Sequence, residues 1–314
     1  MARAQGARAQ LASAFEATYG TPPASGYAKL PFVSSTIGSE QGLIASDLLG
    51  QGRDPAEPIR DVVNVDGDIV VPVDLRNFGR WLKLVFGEDA VTGTGPGPYT
   101  HTFVSGEWSL PSMALEVGMP EVPYFAMCTG VRANSLSFRM QRSGPANATV
   151  SCIAQGEAKA AATAAGTPTE AALERFNQFQ GSIKRDGAAL ANVVSGEVTY
   201  SNNLDRIETI RNDGRIDGAD PSIASMTGTI DCRFADTVLL DLAISNTPVE
   251  LEFGFTISAT KKLTVTAHQV FLPKPRLAIQ GPGGVQASFA WQAARDTSPS
   301  RMATVVLVND VADY

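Results

Sequence analysis

The sequence predicts a mainly β fold made of two tandem sandwich- or barrel-like units, each flanked by one short α-helix. Apolar and polar residues alternate over many short segments, as in residues 249–257, which is the pattern of strands with one buried face. Only two segments have the three-to-four-residue apolar period of a helix. The order of the segments also repeats along the 314-residue chain, which favours two similar units.

The composition fits a globular protein and excludes some classes of function. With 44% hydrophobic and 18% charged residues, the chain has enough apolar surface for two cores. The net charge is −7 and no basic run is interleaved with aromatics, so a surface that grips nucleic acid is not predicted. We expect Cys128, Cys152 and Cys232 to be buried thiols in a reducing compartment, because they lie far apart in apolar or alternating sequence. Without a signal-like segment or an eighteen-residue apolar run, synthesis in the cytoplasm is expected.

The first half of the chain predicts an arm followed by a β unit. Residues 1–29 are rich in Ala, Gly and Pro and predict an N-terminal arm on the surface, and residues 30–156 form the first unit. A strand is predicted at 30–39 and another at 62–73. The segment between them, about 41–60, is interpreted as a loop too long for a hairpin and as a contact element.

The clearest helix follows these strands. Asn77 is the predicted N-cap and Gly87 the C-terminal glycine, and between them the apolar residues recur at helical spacing. Alternation over 113–119, 136–140 and 148–155 then predicts the remaining strands of the first unit.

The second half repeats this order after a low-complexity segment. Residues 157–175 predict a linker, and residues 176–314 the second unit. A hairpin is predicted around Asp186 and Gly187, a long loop at 202–222, and a short helix capped by Asp236. Strands at 249–257, 263–265 and 285–291 complete the unit.

A recurring sequence links the two long loops. Gly52-Arg53 recurs as Gly214-Arg215, with Arg215 following Arg53 by 162 positions (215 − 53). A Gly-x-Ile sequence begins at Gly67 and again at Gly228, 161 positions later (228 − 67). The nearly constant spacing predicts that the loops occupy equivalent places in two copies of one fold.

The sequence offers no constellation for catalysis or cofactor binding. Its two histidines, His101 and His268, match no catalytic motif and are interpreted as structural. Asp213, Asp217 and Asp220 lack the spacing of a calcium loop and are interpreted as turn-forming residues. We therefore predict a protein that is not an enzyme, with no catalytic, cofactor-binding or metal-binding residues.

Four stretches, in this order, resemble the tail tube (major tail) proteins of long-tailed, non-contractile bacteriophages. They are RWLKL at 80–84, YTHTF at 99–103, PSMALEVG at 111–118 and NDGRIDGAD at 212–220, and the resemblance extends from about Leu30 to Asn309. It implies a virion protein whose β-sandwich domains join into rings of six, stack into a tube and conduct DNA to the host. A duplicated domain implies rings of three chains with pseudo-sixfold symmetry; homohexameric rings are the alternative. The implied partners are further copies of the chain and the tail terminator, tape measure and baseplate proteins, with no membrane and no specific DNA binding.

The resemblance also directs attention to two sets of residues. The repeated loops make Arg53, Asp54, Arg215, Asp217 and Asp220 candidates for contacts between stacked rings. A lumen that passes DNA without retaining it should be neutral or acidic. Acidic residues that alternate with apolar ones on strands are therefore candidates for the lumen wall: Glu116, Glu197, Glu250 and Glu252.

Two other classes of function remain open at this point. A carbohydrate- or receptor-binding β-sandwich, or a surface-layer protein, would expose aromatics beside Asp and Asn, whereas most aromatics here lie at core-facing positions. A glycosidase with an unrecognised carboxylate pair is the third possibility.

Overall fold

The structure, a computed structural model, describes residues 3–50, 52–279 and 281–314 and confirms the mainly β fold class with two short helices. Met1, Ala2 and Gln51, which belong to the predicted arm and first long loop, lie outside the described residues. The elements of the first half are β1 (Gln10–Phe15), β2 (Ala28–Lys29), β3 (Ser34–Ser35), β4 (Gly38–Ile44), β5 (Ile59–Pro72), α1 (Phe78–Phe86), β6 (Ala90–Thr92), β7 (Tyr99–Val104), β8 (Met113–Met119), β9 (Tyr124–Gln141), β10 (Asn147–Ala154) and β11 (Gly156–Ala160).

The described residues of the second half likewise form eleven strands and one helix. They are β12 (Thr169–Glu170), β13 (Gly181–Arg185), β14 (Ala188–Ala189), β15 (Val193–Ser201), β16 (Asp205–Ile207), β17 (Gly218–Asp220), β18 (Ser225–Arg233), α2 (Val238–Ser245), β19 (Val249–Ser258), β20 (Lys261–Phe271), β21 (Gln286–Ala294) and β22 (Ala303–Asn309). Single 3₁₀ turns occur at Gly6–Arg8 and Gln178–Gln180.

A central antiparallel sheet runs without a break through both halves of the chain. Its strand order is β4-β5-β10-β9-β15-β18-β21-β20. The long strand β9 belongs to two layers, because its first part pairs with β8 and β11 and its second part pairs with β10 and β15. The pairing of β9 with β15 therefore joins the first half to the second.

Smaller sheets cover the inner face of the central sheet. Strands β2, β1 and β8 lead to the start of β9, and β14, β13 and β19 lead to β20. One apolar core lies between the layers and holds side chains of both halves, including the contacts of Phe255 with Phe138 and Phe176 and of Phe253 with Trp291. The architecture is thus a sandwich in which the central sheet has one buried and one outward face.

Helix α1 forms where the sequence predicts it and lies against this core. All its residues except Arg80 are buried, including Trp81, and it ends at Gly87 with φ of 95°. The Asn77 side chain makes no capping bond, contrary to expectation. Asp74 takes that role by accepting hydrogen bonds from the backbone N–H groups of Arg76 and Asn77, and burial raises the pKa of its carboxyl.

Two segments that were predicted to lie outside the core are part of the sheets. Within the 1–29 arm, β1 pairs with β8 over its full length, and Leu11 and Ser13 are completely buried, so a surface extension is the wrong description. Within the 157–175 linker, β11 pairs with β9 and β12 pairs with β2. The strands in these segments lack a clear alternation of large apolar and polar residues, so their sequences do not predict paired strands. The division into units at 30–156 and 176–314 stays a prediction.

The first long loop is also shorter than predicted. Strands β4 and β5 form a long hairpin whose last pair is Ile44 with Ile59, so the connection spans 45–58 and the judgement that it was too long for a hairpin was wrong. The predicted strand at 30–39 is replaced by β3 and β4. In the second half the Asp186-Gly187 turn joins β13 to β14 as predicted, but β15 pairs with β9 and β18 instead of completing that hairpin.

The same strand order and the same irregularity occur in both halves. The run β4-β5-β10-β9 matches β15-β18-β21-β20, with a helix following the second strand in sequence each time. One β-bulge recurs as well, because the register shifts at the same relative place between β8 and β9 and between β19 and β20. The pairs that flank it are Met113–Val131 and Leu115–Cys128 in the first half, and Val249–Val270 and Leu251–Ala267 in the second.

Candidate assembly surfaces

The loop at 45–58 is an exposed apolar tip at one end of the central sheet. Leu48 and Leu49 are 65% and 94% exposed, and Leu43, Ile44 and Ile59 beside them are exposed too. Arg53 and Asp54 of the predicted contact set lie on this tip and are exposed to solvent. A contiguous exposed apolar group of this kind is typical of a surface that another protein covers.

The second long loop, 202–224, leaves the same end of the sheet but folds back onto its own chain. The carbonyl oxygen of Gly214 accepts a hydrogen bond of 3.0 Å from the backbone N–H of Val63. Ile216 is buried against Ile153 and Ala219. Of its large apolar residues, Ile210 and Ile223 remain exposed.

The charged residues of this loop are paired within the chain. Arg211 contacts Asp213 at 3.0 Å and Asp217 at 2.7 Å, and hydrogen bonding from Arg211 lowers the pKa of the Asp213 carboxyl to about 2. Asp220 lies 3.3 Å from Arg132, and the Arg215 guanidinium reaches the Glu157 carbonyl oxygen at 3.5 Å. The structure thus separates the five predicted contact residues: Arg53 and Asp54 are at an open tip, whereas Arg215, Asp217 and Asp220 hold their loop in place. Their role between rings stays a prediction.

The four acidic candidates for the lumen wall do not share one surface. Glu116 is 4% exposed and accepts hydrogen bonds from the Thr163 hydroxyl and the backbone N–H of Ala164, so its assignment to an open surface was wrong. The covering residues come from the segment that had been interpreted as a linker, and for that reason the sequence pattern did not reveal the burial.

The other three glutamates divide between opposite faces of the sandwich. Glu197 points outward from the central sheet, where Arg139 lies opposite it in register. Glu250 and Glu252 lie on the outer side of β19, across the core. There Glu250 is 3.2 Å from His268 and Glu252 is 2.6 Å from Lys184.

The outward face of the central sheet is lined mainly by hydroxyl groups. The registers of β10, β9, β15, β18 and β21 place their Ser and Thr side chains next to one another on this face, which we call the hydroxyl face. These residues include Ser135, Ser137, Thr149, Ser151, Thr199, Ser201, Thr227, Thr229 and Ser288. In the sequence this face is visible as Ser and Thr at alternate strand positions, whereas the residues predicted for the lumen wall were all acidic.

The opposite end of the sheet carries an apolar groove of about 570 Å³. It is lined by the end of β9, the start of β15 and the β13–β14 hairpin, and its apolar side chains include Met140, Phe179, Ile183, Leu190 and Val194. Phe179 is 75% exposed. The molecule therefore presents an apolar tip at one end of the sheet and an apolar groove at the other.

Both histidines make structural contacts. The buried His101 contacts Asp89 through Nδ1 at 2.5 Å and the Val311 carbonyl oxygen through Nε2 at 2.8 Å. Burial by itself lowers the pKa of His101, but the hydrogen bonds to Asp89 and Val311 raise it above its ordinary value. These contacts, with the 2.8 Å bond from Lys83 Nζ to the Tyr314 carbonyl oxygen, fasten the C-terminal segment beside α1.

Among residues 3–50, 52–279 and 281–314, no group of three or more His, Cys, Asp or Glu side chains is placed to hold a metal ion. Within the same residues, no helix has the length and apolar character needed to cross a membrane.

A protein-family model matches nearly the whole chain. The family model described as "Phage tail tube protein" matches residues 6–293. It covers the central sheet, both long loops and the groove. No curated protein matches the chain.

Proposed function

The chain belongs to the phage tail tube protein family, and from this premise we propose that it polymerises into stacked rings that form the tail tube of a long-tailed, non-contractile phage. Membership of the family makes it a structural component of the virion tail. The finer proposal is that three chains, each with a duplicated tube domain, make one pseudo-sixfold ring through which DNA passes to the host.

The observation that carries the proposal is the unbroken central sheet with its repeated strand order. Four strands of each half have the same order within the sheet, and β9 pairs with β15 where the two halves meet. A sheet whose repeated segments already pair edge to edge can close into a ring when further copies pair in the same way. The recurrent bulge and the 161-residue spacing between Gly67 and Gly228 support duplication of one domain. The alternative of six chains per ring would leave the second half outside the barrel.

The hydroxyl face is the surface we assign to the lumen. Hydroxyl groups can hydrogen-bond to water or to a phosphate, but they release no counterions, so they supply none of the salt-dependent affinity that holds DNA to basic proteins. The charged residues that β9, β15 and β18 place on this face are of both signs: Arg139 lies opposite Glu197 in the pairing register, and Asp231 and Arg233 alternate along β18. Under this proposal Glu197 lines the lumen, whereas Glu250 and Glu252 lie on the outer surface of the tube.

The two ends of the sheet suggest how the rings stack. We assign the tip at 45–58 of one ring to the apolar groove around Phe179 of the next, since the tip and the groove lie at opposite ends of each chain. Burial of both apolar surfaces would drive the contact. The end rings would meet the tail terminator and baseplate proteins, and the lumen would hold the tape measure protein before DNA passes.

Electron microscopy of the purified protein tests the proposal. Rings or tubes with a central channel are expected, and native mass spectrometry of a single ring should give three chains. Six chains per ring would refute the trimeric arrangement but leave the tube intact. A protein that remains monomeric at all concentrations and binds glycans would refute the tail tube function itself and favour a carbohydrate-binding sandwich.

A further inference from the structure

The segment 272–279, which follows β20, has the pattern of a strand but no strand partner among the described residues. Pro275, Leu277 and Ile279 stand at alternate positions, and the residues between them are the charged Lys274 and Arg276 and the small Ala278. Such alternation is typical of a strand with one buried face. Nevertheless Leu277 is 37% exposed and Ile279 is 81% exposed, and the pairing of β20 with β21 stops at Phe271.

The same segment is a paired strand in the first half of the chain. Counting from the shared bulge, Val270 matches Val131, an offset of 139 (270 − 131). Leu277 then corresponds to Phe138 and Ile279 to Met140, both of which are buried in the core where β9 pairs with β15. Residues 272–279 therefore correspond to the part of β9 that pairs with β15, but the described residues contain no strand that takes the place of β15 beside them.

The missing strand has a counterpart at the other edge of the molecule. Strands β3 and β4 pair with β5 along one edge, and in the described part of the chain no strand pairs with their other edge. Their equivalent in the second half is β15, because Ser35 lies opposite Ile69 as Gly196 lies opposite Ile230, again 161 residues apart (196 − 35 and 230 − 69). Strand β15 pairs on both of its edges, with β18 and with β9.

We propose that residues 272–279 become a strand by pairing, antiparallel, with β3–β4 of a neighbouring copy of the chain. The register follows from the β9–β15 pairing inside the chain, where Glu197 lies opposite Arg139. The offset of 161 relates Glu197 to Thr36 (197 − 161), and the offset of 139 relates Arg139 to Ala278 (139 + 139). Thr36 of one copy is therefore expected opposite Ala278 of the next. This contact rests on the proposed ring and identifies the two edges that close it.

Both edges are protected in the isolated chain. The backbone N–H of Ser39 points away from β5 and donates a 2.8 Å hydrogen bond to the Glu157 carboxylate. On the other edge Pro273 and Pro275 have no N–H to donate, which weakens pairing with an arbitrary strand. Leu277 keeps its N–H and can form a complete hydrogen-bonded pair. The contact is therefore selective for the β3–β4 edge and does not form with an arbitrary exposed strand.

Disulfide trapping tests the register. In the β9–β15 pairing, the N–H of Asn202 donates a hydrogen bond to the carbonyl oxygen of Asn134, so these two residues form a hydrogen-bonded pair. Hydrogen-bonded and non-hydrogen-bonded pairs alternate along an antiparallel ladder, so Glu197 and Arg139, five positions away, form a non-hydrogen-bonded pair. Side chains in such pairs approach closely and permit a disulfide. The variant Thr36→Cys/Ala278→Cys, oxidised after assembly, should lose its monomer band on non-reducing gels in favour of covalent trimers. The native cysteines are buried and provide little background.

Two matched variants make the result decisive. Thr36→Cys/Leu277→Cys shifts one partner by a single residue and puts the two thiols on opposite faces of the sheet, so it should not crosslink. Arg139→Cys/Glu197→Cys should crosslink within one chain and confirms that the oxidation works. Tubes or rings that form with equal crosslinking of the 36/278 and 36/277 pairs, or with none, would overturn this inference while leaving the proposed function intact. A failure of every variant and of the native chain to assemble would count against both.

Discussion

The apolar tip at 45–58 gives a quantitative test of ring stacking. Replacing both leucines, Leu48→Ser/Leu49→Ser, removes apolar surface that is 65% and 94% exposed in the single chain. Complete burial of a leucine contributes about 2 kcal/mol, so the share still available for an intermolecular contact is about 3 kcal/mol for the pair. At about 1.4 kcal/mol per factor of ten, the protein concentration needed for tube growth should rise by about a hundredfold.

Sedimentation of tubes over a concentration series measures this threshold. The thermal melting of the single chain should remain unchanged, because substitutions at exposed positions alter stability by less than about 0.5 kcal/mol. Ile244→Ser is a matched control, since Ile244 is a 58% exposed apolar residue on α2, away from the tip. An unchanged threshold in the double variant, or an equal increase in the control, would refute the assignment of the tip to the stacking contact.

Three further predictions concern the single chain. Gly228→Ala should destabilise it by about 3 kcal/mol or more in chemical denaturation, because the added Cβ would meet the Glu197 carbonyl oxygen, while Gly283→Ala, whose Cβ meets nothing within 4 Å, should be neutral. Asp89→Asn should cost about 3 kcal/mol by breaking the buried pair with His101. Because the pKa of His101 is raised, the contribution of its charge to stability is lost as the pH rises through that raised value. Because the pKa of Asp89 is lowered, the contribution of its carboxylate is lost on acidification. The difference in unfolding free energy between the native protein and the variant should therefore be largest between about pH 4 and 6.5. Finally, burial raises the pKa of Cys128 to about 12 and that of Cys232 to about 11, so a thiol reagent should label the native protein only on unfolding.

The elements that the sequence predicts well are those in which one face is buried and the other is in water. Helix α1 and strand β19 have this property, and their apolar periods of 3.6 and 2 are visible without any knowledge of the fold. Strand β1 does not, because Leu11, Ala12, Ser13 and Ala14 are all buried, and a strand that is covered on both faces shows no alternation. Strand β4 fails for the opposite reason: most of its residues are exposed, and its pairing with β5 is set by the backbone.

At the candidate assembly surfaces, too, the sequence predicts local features but not contacts between distant segments. The recurrence of Gly67 and Gly228 can be read from the sequence because the fold requires it locally. A Cβ on Gly67 would lie 2.6 Å from the backbone of Ile37, and one on Gly228 would lie 1.9 Å from the Glu197 carbonyl oxygen. The environment of Glu116 and Arg215 could not be predicted, because it depends on segments 47 and 58 residues distant in sequence.

The proposed duplication also explains why the two kinds of junction in the ring can differ in sequence. The β9–β15 junction forms between segments of one chain, so their effective concentration is high and strong pairing carries no risk of joining the wrong partner. The junction between chains must form only during assembly, since an open strong edge would let free subunits aggregate. Pro273, Pro275 and the bond from Ser39 to Glu157 would weaken only the proposed junction between chains. The corresponding positions within the chain are Asn134, Leu136 and Tyr200. One domain used twice can therefore keep one junction permanently closed and the other under the control of assembly, a distinction that a homohexamer of single domains does not permit.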